Sequence, residues 1–140
     1  MLKGIPKIIS PELLKILDEM GHRDEIVLAD GNFPGESVAQ RCVRADGHGT
    51  VELLKAILKL FPLDTYAKPL YVMEKVPGDT VETPIIDEYK LIVKPYTDAE
   101  IEGIERFAFY ERAKKAYAVI MSGESALYAN IILKKGVVTE

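Results

Sequence analysis

The sequence predicts an α/β layered domain. Short apolar runs of strand length alternate with amphipathic stretches of helix length from one end of the chain to the other. No linker, internal repeat or low-complexity segment divides it, so residues 1–140 are expected to form a single domain. With 48% apolar and 29% charged residues, the 140-residue chain is large enough for a proper core and is not of disordered composition.

The first element is "SPELLKILDEMG". Ser10 is placed to cap the free N–H groups of a helix, Pro11 suits its first position, and Gly21 is placed for a left-handed exit turn. Leu13, Leu14, Leu17 and Met20 make one face, and Glu12, Lys15, Asp18 and Glu19 the other. "EIVLAD" follows, nearly all apolar, as expected of a strand covered on both faces. "GNFPGES" reads as a loop from its Gly and Pro, and "VAQRCVRADG" as a second extended segment ending in a turn.

"TVELLKAILKLF" is a second amphipathic helix, capped by Thr50 and stopped before Pro62. "PLYVMEKV" is a third strand closed by the "PGD" turn, and "TPIIDEYKLIVK" a short helix. "TDAE" matches a capping box, Thr97 with Glu100, so the spacing predicts a helix that continues through "IERFAFYERAKKAYA" with Glu111 and Lys115 paired. "AVIMSG" and "NIILKKG" complete the set as the last two strands. In such folds ligands sit at strand ends.

Composition narrows the function classes. Eighteen Lys and Arg against 22 Asp and Glu leave a net charge of −4 with no basic block, which speaks against nucleic acid or an anionic membrane surface as partner. Cys42 is the only cysteine, so no intrachain disulfide or multi-thiolate metal site is expected. With no stretch near 18 apolar residues and no apolar leader in "MLKGIPKIISPELL", a soluble cytoplasmic protein is expected. GxGxxG, Walker, HExxH and G-x-S-x-G patterns are absent, and His22 and His48 stand too far apart in sequence for a zinc site. No metal is expected.

His22 directly follows Gly21 at the helix break. An imidazole titrates at ~6.5 and can exchange protons near neutrality, but from spacing alone the simpler reading is a histidine that answers the negative end of the helix. Asp30 ends an apolar run, where a carboxylate either receives a ligand's hydroxyls or caps a loop. Asp64 sits similarly in "FPLDTYAKP", with loop capping the simpler reading. Tyr128 and Asn130 are two apart in "LYANII" and project to one side if that segment is extended, either holding a polyhydroxylated ligand or packing a strand. Arg106 and Tyr110 share a helix face at i,i+4. Met73 reads as core, and His48 in "DGHGT" as a solvated turn residue.

In order, "ISPELLKILDEMGHRDEIVLAD", "FP", "VRADG", "LDTYAKPL", "RFAFYERAKKAYAVIMSGE" and "YANIILKKGV" resemble the L-fucose mutarotases, relatives of the D-ribose pyranases, over almost the whole chain. The resemblance implies a central mixed sheet flanked by helices and an enzyme that interconverts the α and β forms of a free sugar, without cofactor or metal. It assigns proton donation to His22, and sugar binding to Asp30, Asp64, Met73, Arg106, Tyr110, Tyr128 and Asn130. Tyr128 and Asn130 belong to a "Y-x-N" element shared with the pyranases. It also implies ring-shaped homo-oligomers, commonly decamers in bacteria, with sites near subunit contacts. Gly31 stands where relatives often have alanine, and the "GNFPGES" loop is variable among them. A D-ribose pyranase, a broad-range mutarotase and a non-catalytic sugar-binding accessory protein are the alternatives.

One expectation concerns distance. His22 and Asp30 bracket a strand, and eight residues at ~3.3 Å span about 26 Å if extended. They can share a pocket only if residues 21–24 turn back or a neighbouring subunit supplies one of them.

Overall fold

The structure, a computed structural model, describes residues 1–140. Its elements run α1 (Pro11–Glu19), β1 (Glu25–Ala29), α2 (Gly35–Val38), β2 (Cys42–Ala45), α3 (Thr50–Leu58), β3 (Leu70–Met73), α4 (Pro84–Val93), β4 (Glu102–Ile104), α5 (Arg106–Lys115), β5 (Ala118–Ser122) and β6 (Ile131–Lys134). The six strands form one sheet in the order β2-β5-β1-β6-β3-β4. β1 is parallel to β5, β5 to β2, and β3 to β4, while β6 runs antiparallel to both β1 and β3. The sheet is therefore mixed, as expected, with β6 as its single reversed strand.

The alternation of side chains along the strands divides the core in two. Ile26 and Leu28 of β1 point into a large cluster with Leu13 and Leu17 of α1, Leu53, Leu54 and Ile57 of α3, and Tyr89 of α4. Val27 and Ala29 point the other way, onto Phe33, Phe109 and Ala113. Helices thus cover both faces, which is why β1 tolerates no polar residue between Ile26 and Ala29, all 0% exposed. Each large aliphatic side chain buried here stabilises the fold by about 1.5–3 kcal/mol.

α1 begins as expected. Ser10 Oγ accepts from Leu13 N–H at 3.1 Å and Pro11 opens the helix. Its exit differs. Met20 turns the chain into extended backbone, and the left-handed residue is Arg23 (φ 78), not Gly21. The last carbonyls are met by Lys135, whose Nζ donates to Leu17 O and Met20 O, a cation at the negative end of the helix.

Four further local expectations are corrected. The short helix α2 begins within "GNFPGES" and takes Val38 from the segment expected to be extended, and Gly35 lets it approach β5, since a Cβ there would collide with Met121 Sδ. Gly49, not Thr50, is the N-cap of α3, because the Thr50 side chain is buried and engaged elsewhere. Thr97 and Glu100 do not start a helix: Thr97 Oγ1 only closes a turn with Ala99 N–H, and the following residues pair with β3 as β4. α5 instead starts after Glu105, whose carboxylate accepts from Phe107 and Ala108 N–H, and Glu111 pairs with Lys114 rather than Lys115. No helix is long and apolar enough to cross a membrane.

Candidate active site

The parallel strands β1 and β3 end on the same edge of the sheet, beside the start of the reversed β6. That edge holds an open cavity of about 280 Å³ lined by Asp30, Asn32, Phe33, Met73, Asp79, Tyr110, Leu127, Tyr128 and Asn130. Five residues expected to bind sugar, Asp30, Met73, Tyr110, Tyr128 and Asn130, are therefore gathered here. Three clefts are larger: one of about 360 Å³ lies between α1 and β2, and two, about 500 and 520 Å³, lie along α4, one lined with the Thr97–Ile101 segment and the other with α3. The two along α4 have lysines and Leu91 at their walls, the third has Lys15 and Arg41, and none holds any of the residues expected to bind sugar, so chemistry rather than volume selects the smaller cavity.

Asp30 is 6% exposed and Asn130 is 4% exposed. Asp30 N–H donates to Asn130 Oδ1 at 2.8 Å, which ties the end of β1 to the start of β6. Burial pushes the Asp30 carboxyl above its ordinary range, against hydrogen bonds from the Asn32, Phe33 and Ala129 backbones and from Asn130. Phe33 stacks on Tyr110 with ring centroids 5.5 Å apart, giving the cavity an aromatic wall. Met73, read from the sequence as core, is half-buried and reaches the lining because it is the last residue of β3.

Tyr128 and Asn130 do share the cavity, but not by strand alternation. β6 begins only at Ile131, and Tyr128 is left-handed (φ 58). Its hydroxyl donates to Asp79 Oδ2 at 2.6 Å and accepts from Val76 N–H at 3.2 Å. The turn is anchored from beneath by Tyr89, fully buried, whose hydroxyl donates to Ala129 O at 2.6 Å and lies 2.5 Å from Thr50 Oγ1. Thr50 in turn meets Glu124 Oε1 through both its N–H and its hydroxyl.

Arg106 is exposed in the first turn of α5, its guanidinium 4.6 Å from the Phe107 ring. It is not part of the cavity wall, although its charge acts on Tyr128.

His22 and Asp64 lie elsewhere. Residues 21–24 do turn, with Asp24 N–H donating to Gly21 O, yet the turn packs at the start of β1 while Asp30 follows its end. His22 Nε2 is 3.0 Å from Asp64 Oδ1, and the His22 ring rests against Tyr66. Asp64 is held there because its N–H donates to Lys134 O at the far end of β6. Burial raises the Asp64 carboxyl, but hydrogen bonds from Tyr66 N–H and His22, the charge of His22 and the Thr65 backbone bring it below the ordinary value. Asp64 is therefore an acceptor only, so Nε2 must carry the proton of this bond and Nδ1 is the nitrogen left to exchange protons. His48 faces Glu52 on the surface, away from both groups. No group of three or more His, Cys, Asp or Glu side chains is arranged to hold a metal.

A family model matches residues 3–138 of the chain. The chain belongs to the RbsD / FucU transport protein family. FucU of Bifidobacterium longum is 62% identical, with 98% of this chain and 100% of that one covered and a TM-score of 0.95. A fucose mutarotase of Streptococcus pneumoniae, solved in complex with L-fucose, is 50% identical over 99% of this chain and 100% of its own, with a TM-score of 0.93. The fucose mutarotase of Danio rerio is 55% identical, covering 99% of this chain and 95% of that protein.

The cavity also contains residues that the sequence reading passed over: Asn32, Phe33, Asp79 and Leu127. Asp79 was legible only as the end of the "PGD" turn. The signal that could have found it is the one that singled out Asp30, a carboxylate in a Gly/Pro loop just beyond a strand's C-terminal end.

Proposed function

We propose that the protein is an isomerase that interconverts the α and β anomers of L-fucose by opening and reclosing the sugar ring. The observation that carries this reading is the 50% identity, over the full length, to a mutarotase solved with L-fucose bound. The cavity supports it with buried Asp30 and Asn130 for hydroxyls and with Phe33, Met73 and Leu127 for apolar sugar surface.

His22 is the acid/base. Opening needs a proton delivered to the ring oxygen while one leaves the anomeric hydroxyl, and closure reverses both. With Nε2 committed to Asp64, His22 works through Nδ1. Asp30, Asn130, Tyr110, Tyr128 and Met73 hold the sugar from the cavity wall, Arg106 reaches it from outside that wall, from the first turn of α5, and Asp64 orients the imidazole. Such acid–base catalysis is worth about 10²–10⁴-fold over the reaction in water.

The active unit is a ring-shaped homo-oligomer of decamer type in which His22 of one subunit faces the cavity of its neighbour. The placement of His22 and Asp30 at opposite ends of β1 favours this route over a site built within one chain. The protein is cytoplasmic and needs neither cofactor nor metal.

NMR exchange spectroscopy of the anomeric protons tests the reading, with L-fucose and D-ribose compared. Faster α/β exchange of L-fucose is expected. Exchange of D-ribose between pyranose and furanose forms alone would make the protein a pyranase, equal acceleration of several sugars a broad-range mutarotase, and tight binding without acceleration an accessory protein.

A further inference from the structure

We propose that Asp79 is the second proton-handling residue of this site: it takes the phenolic proton of Tyr128 as Tyr128 takes the proton of the sugar's anomeric hydroxyl. The inference rests on the mutarotase reading and adds to it the destination of the proton that His22 does not handle.

Three contacts define the arrangement. Tyr128 Oη is 2.6 Å from Asp79 Oδ2, Tyr128 Oη also accepts Val76 N–H at 3.2 Å, and Asp79 Oδ1 is held by Val81 N–H at 3.0 Å. The carboxylate accepts, so the phenol must donate to it. One lone pair of Oη then remains for a third partner, and both residues line the cavity. Asp79 sits below the ordinary carboxylate range, held there by the Tyr128 hydroxyl, Val81 N–H and the charge of Lys75, so it is ionised at neutral pH. The other charged groups facing the pair are Arg106, whose charge opposes the upward shift of the phenol, and Asp30 in the same cavity.

The arrangement has a fixed frame. Tyr128 occupies a left-handed conformation that side chains adopt at a cost, and the next carbonyl, Ala129 O, is pinned by buried Tyr89. Asp79 follows Gly78 (φ 88) in the β3–α4 turn. A tyrosine polarised by a fixed carboxylate and presented to a sugar-sized cavity is a base whose proton has somewhere to go.

The step balances. The anomeric O–H proton moves to Tyr128 Oη, and the phenolic proton moves to Asp79 Oδ2. The O1–H bonding pair becomes the second bond of C1=O1, the C1–O5 bond breaks, and O5 takes the Nδ1 proton of His22. Closure on the opposite face returns each proton to its origin.

Asp79→Asn separates this role from a latch that merely fastens the β3–α4 turn. The amide oxygen still accepts the Tyr128 hydrogen bond but cannot take its proton. L-fucose anomer exchange, measured against sugar concentration, should show kcat reduced about 10-fold or more, with KM within about threefold of native. Tyr128→Phe should lose a similar factor, and the double variant no more than the worse single one, because the two act as a unit. Native kcat in Asp79→Asn, a change confined to KM, or losses that multiply in the double variant would each overturn the inference. Its failure is distinct from that of the mutarotase reading: native protein that accelerates no exchange overturns both, whereas loss in His22→Ala beside an unaffected Asp79→Asn overturns this inference alone.

Discussion

His22 Nε2 stands 3.0 Å from Oδ1 of Asp64, a carboxylate fully withdrawn from solvent whose other oxygen, Oδ2, has no hydrogen-bond partner. The negative charge of Asp64 is therefore met by the imidazole and the nearby backbone N–H groups. Asp64→Asn places an amide there that can present either an oxygen or an NH₂ group to Nε2, and the second choice moves the ring proton to Nδ1. Anomer exchange should fall by about 10²-fold, chiefly in kcat, as read from NMR exchange rates at saturating sugar.

Acid should weaken the same contact. The folded-state pKa of Asp64 is depressed, so its contribution to stability is present above its unfolded value near ~3.9 and is lost as pH falls through the lower folded value. Thermal unfolding of native protein and Asp64→Asn should show their difference in Tm shrinking as pH drops below about 4. A constant difference down to pH ~2 would count against the assignment.

Asp30 behaves in the opposite sense. Its carboxyl is raised by burial, so the charged form costs stability at neutral pH and the cost is relieved as pH falls through the raised folded value. Asp30→Asn should thus match or exceed native Tm while weakening sugar binding by about tenfold or more, the loss of one charge-assisted hydrogen bond. KM of the native enzyme should rise as pH descends through that same value, which lies above ~3.9. Titration calorimetry with L-fucose and differential scanning calorimetry check the two halves.

Tyr89 contributes through position alone. Burial holds its hydroxyl far above the ordinary tyrosine range, so it stays a neutral donor to Ala129 O at every working pH. Tyr89→Phe leaves that carbonyl unpaired and should cost about 1–3 kcal/mol. The Tyr128 turn would loosen as well. Denaturant unfolding should register the stability loss, and a KM increase larger than the kcat decrease should register the loosened turn.

The layered α/β plan was legible because it depends on periodicity: β1, α1, α3, β5 and β6 announce themselves through runs whose apolar spacing matches one or two covered faces. β4 was not legible. Three residues, Glu102–Ile104, pair at a sheet edge without an apolar pattern, while Thr97 and Glu100 imitate a helix start that tertiary pairing overrides. In the site, residues at strand ends such as Asp30 could be picked out by position. Tyr128 and Asn130 were placed on one side for the wrong reason, since a left-handed turn and not a strand presents them. Asp79 depends on a contact across 49 residues of sequence, which spacing does not encode.

In the proposed oligomer, His22 of one subunit and the Asp30 cavity of another act on a single molecule of L-fucose. Two variants, His22→Ala and Asp30→Ala, should each be nearly inactive. Unfolded, mixed in equal amounts and refolded together, they should recover up to about a quarter of native anomer exchange, because random assembly of a closed homo-oligomer leaves that share of interfaces with both residues intact. Recovery of that order is the predicted result. A mixture that forms oligomers yet stays as inactive as its components would place His22 and Asp30 in one chain's site and contradict the account.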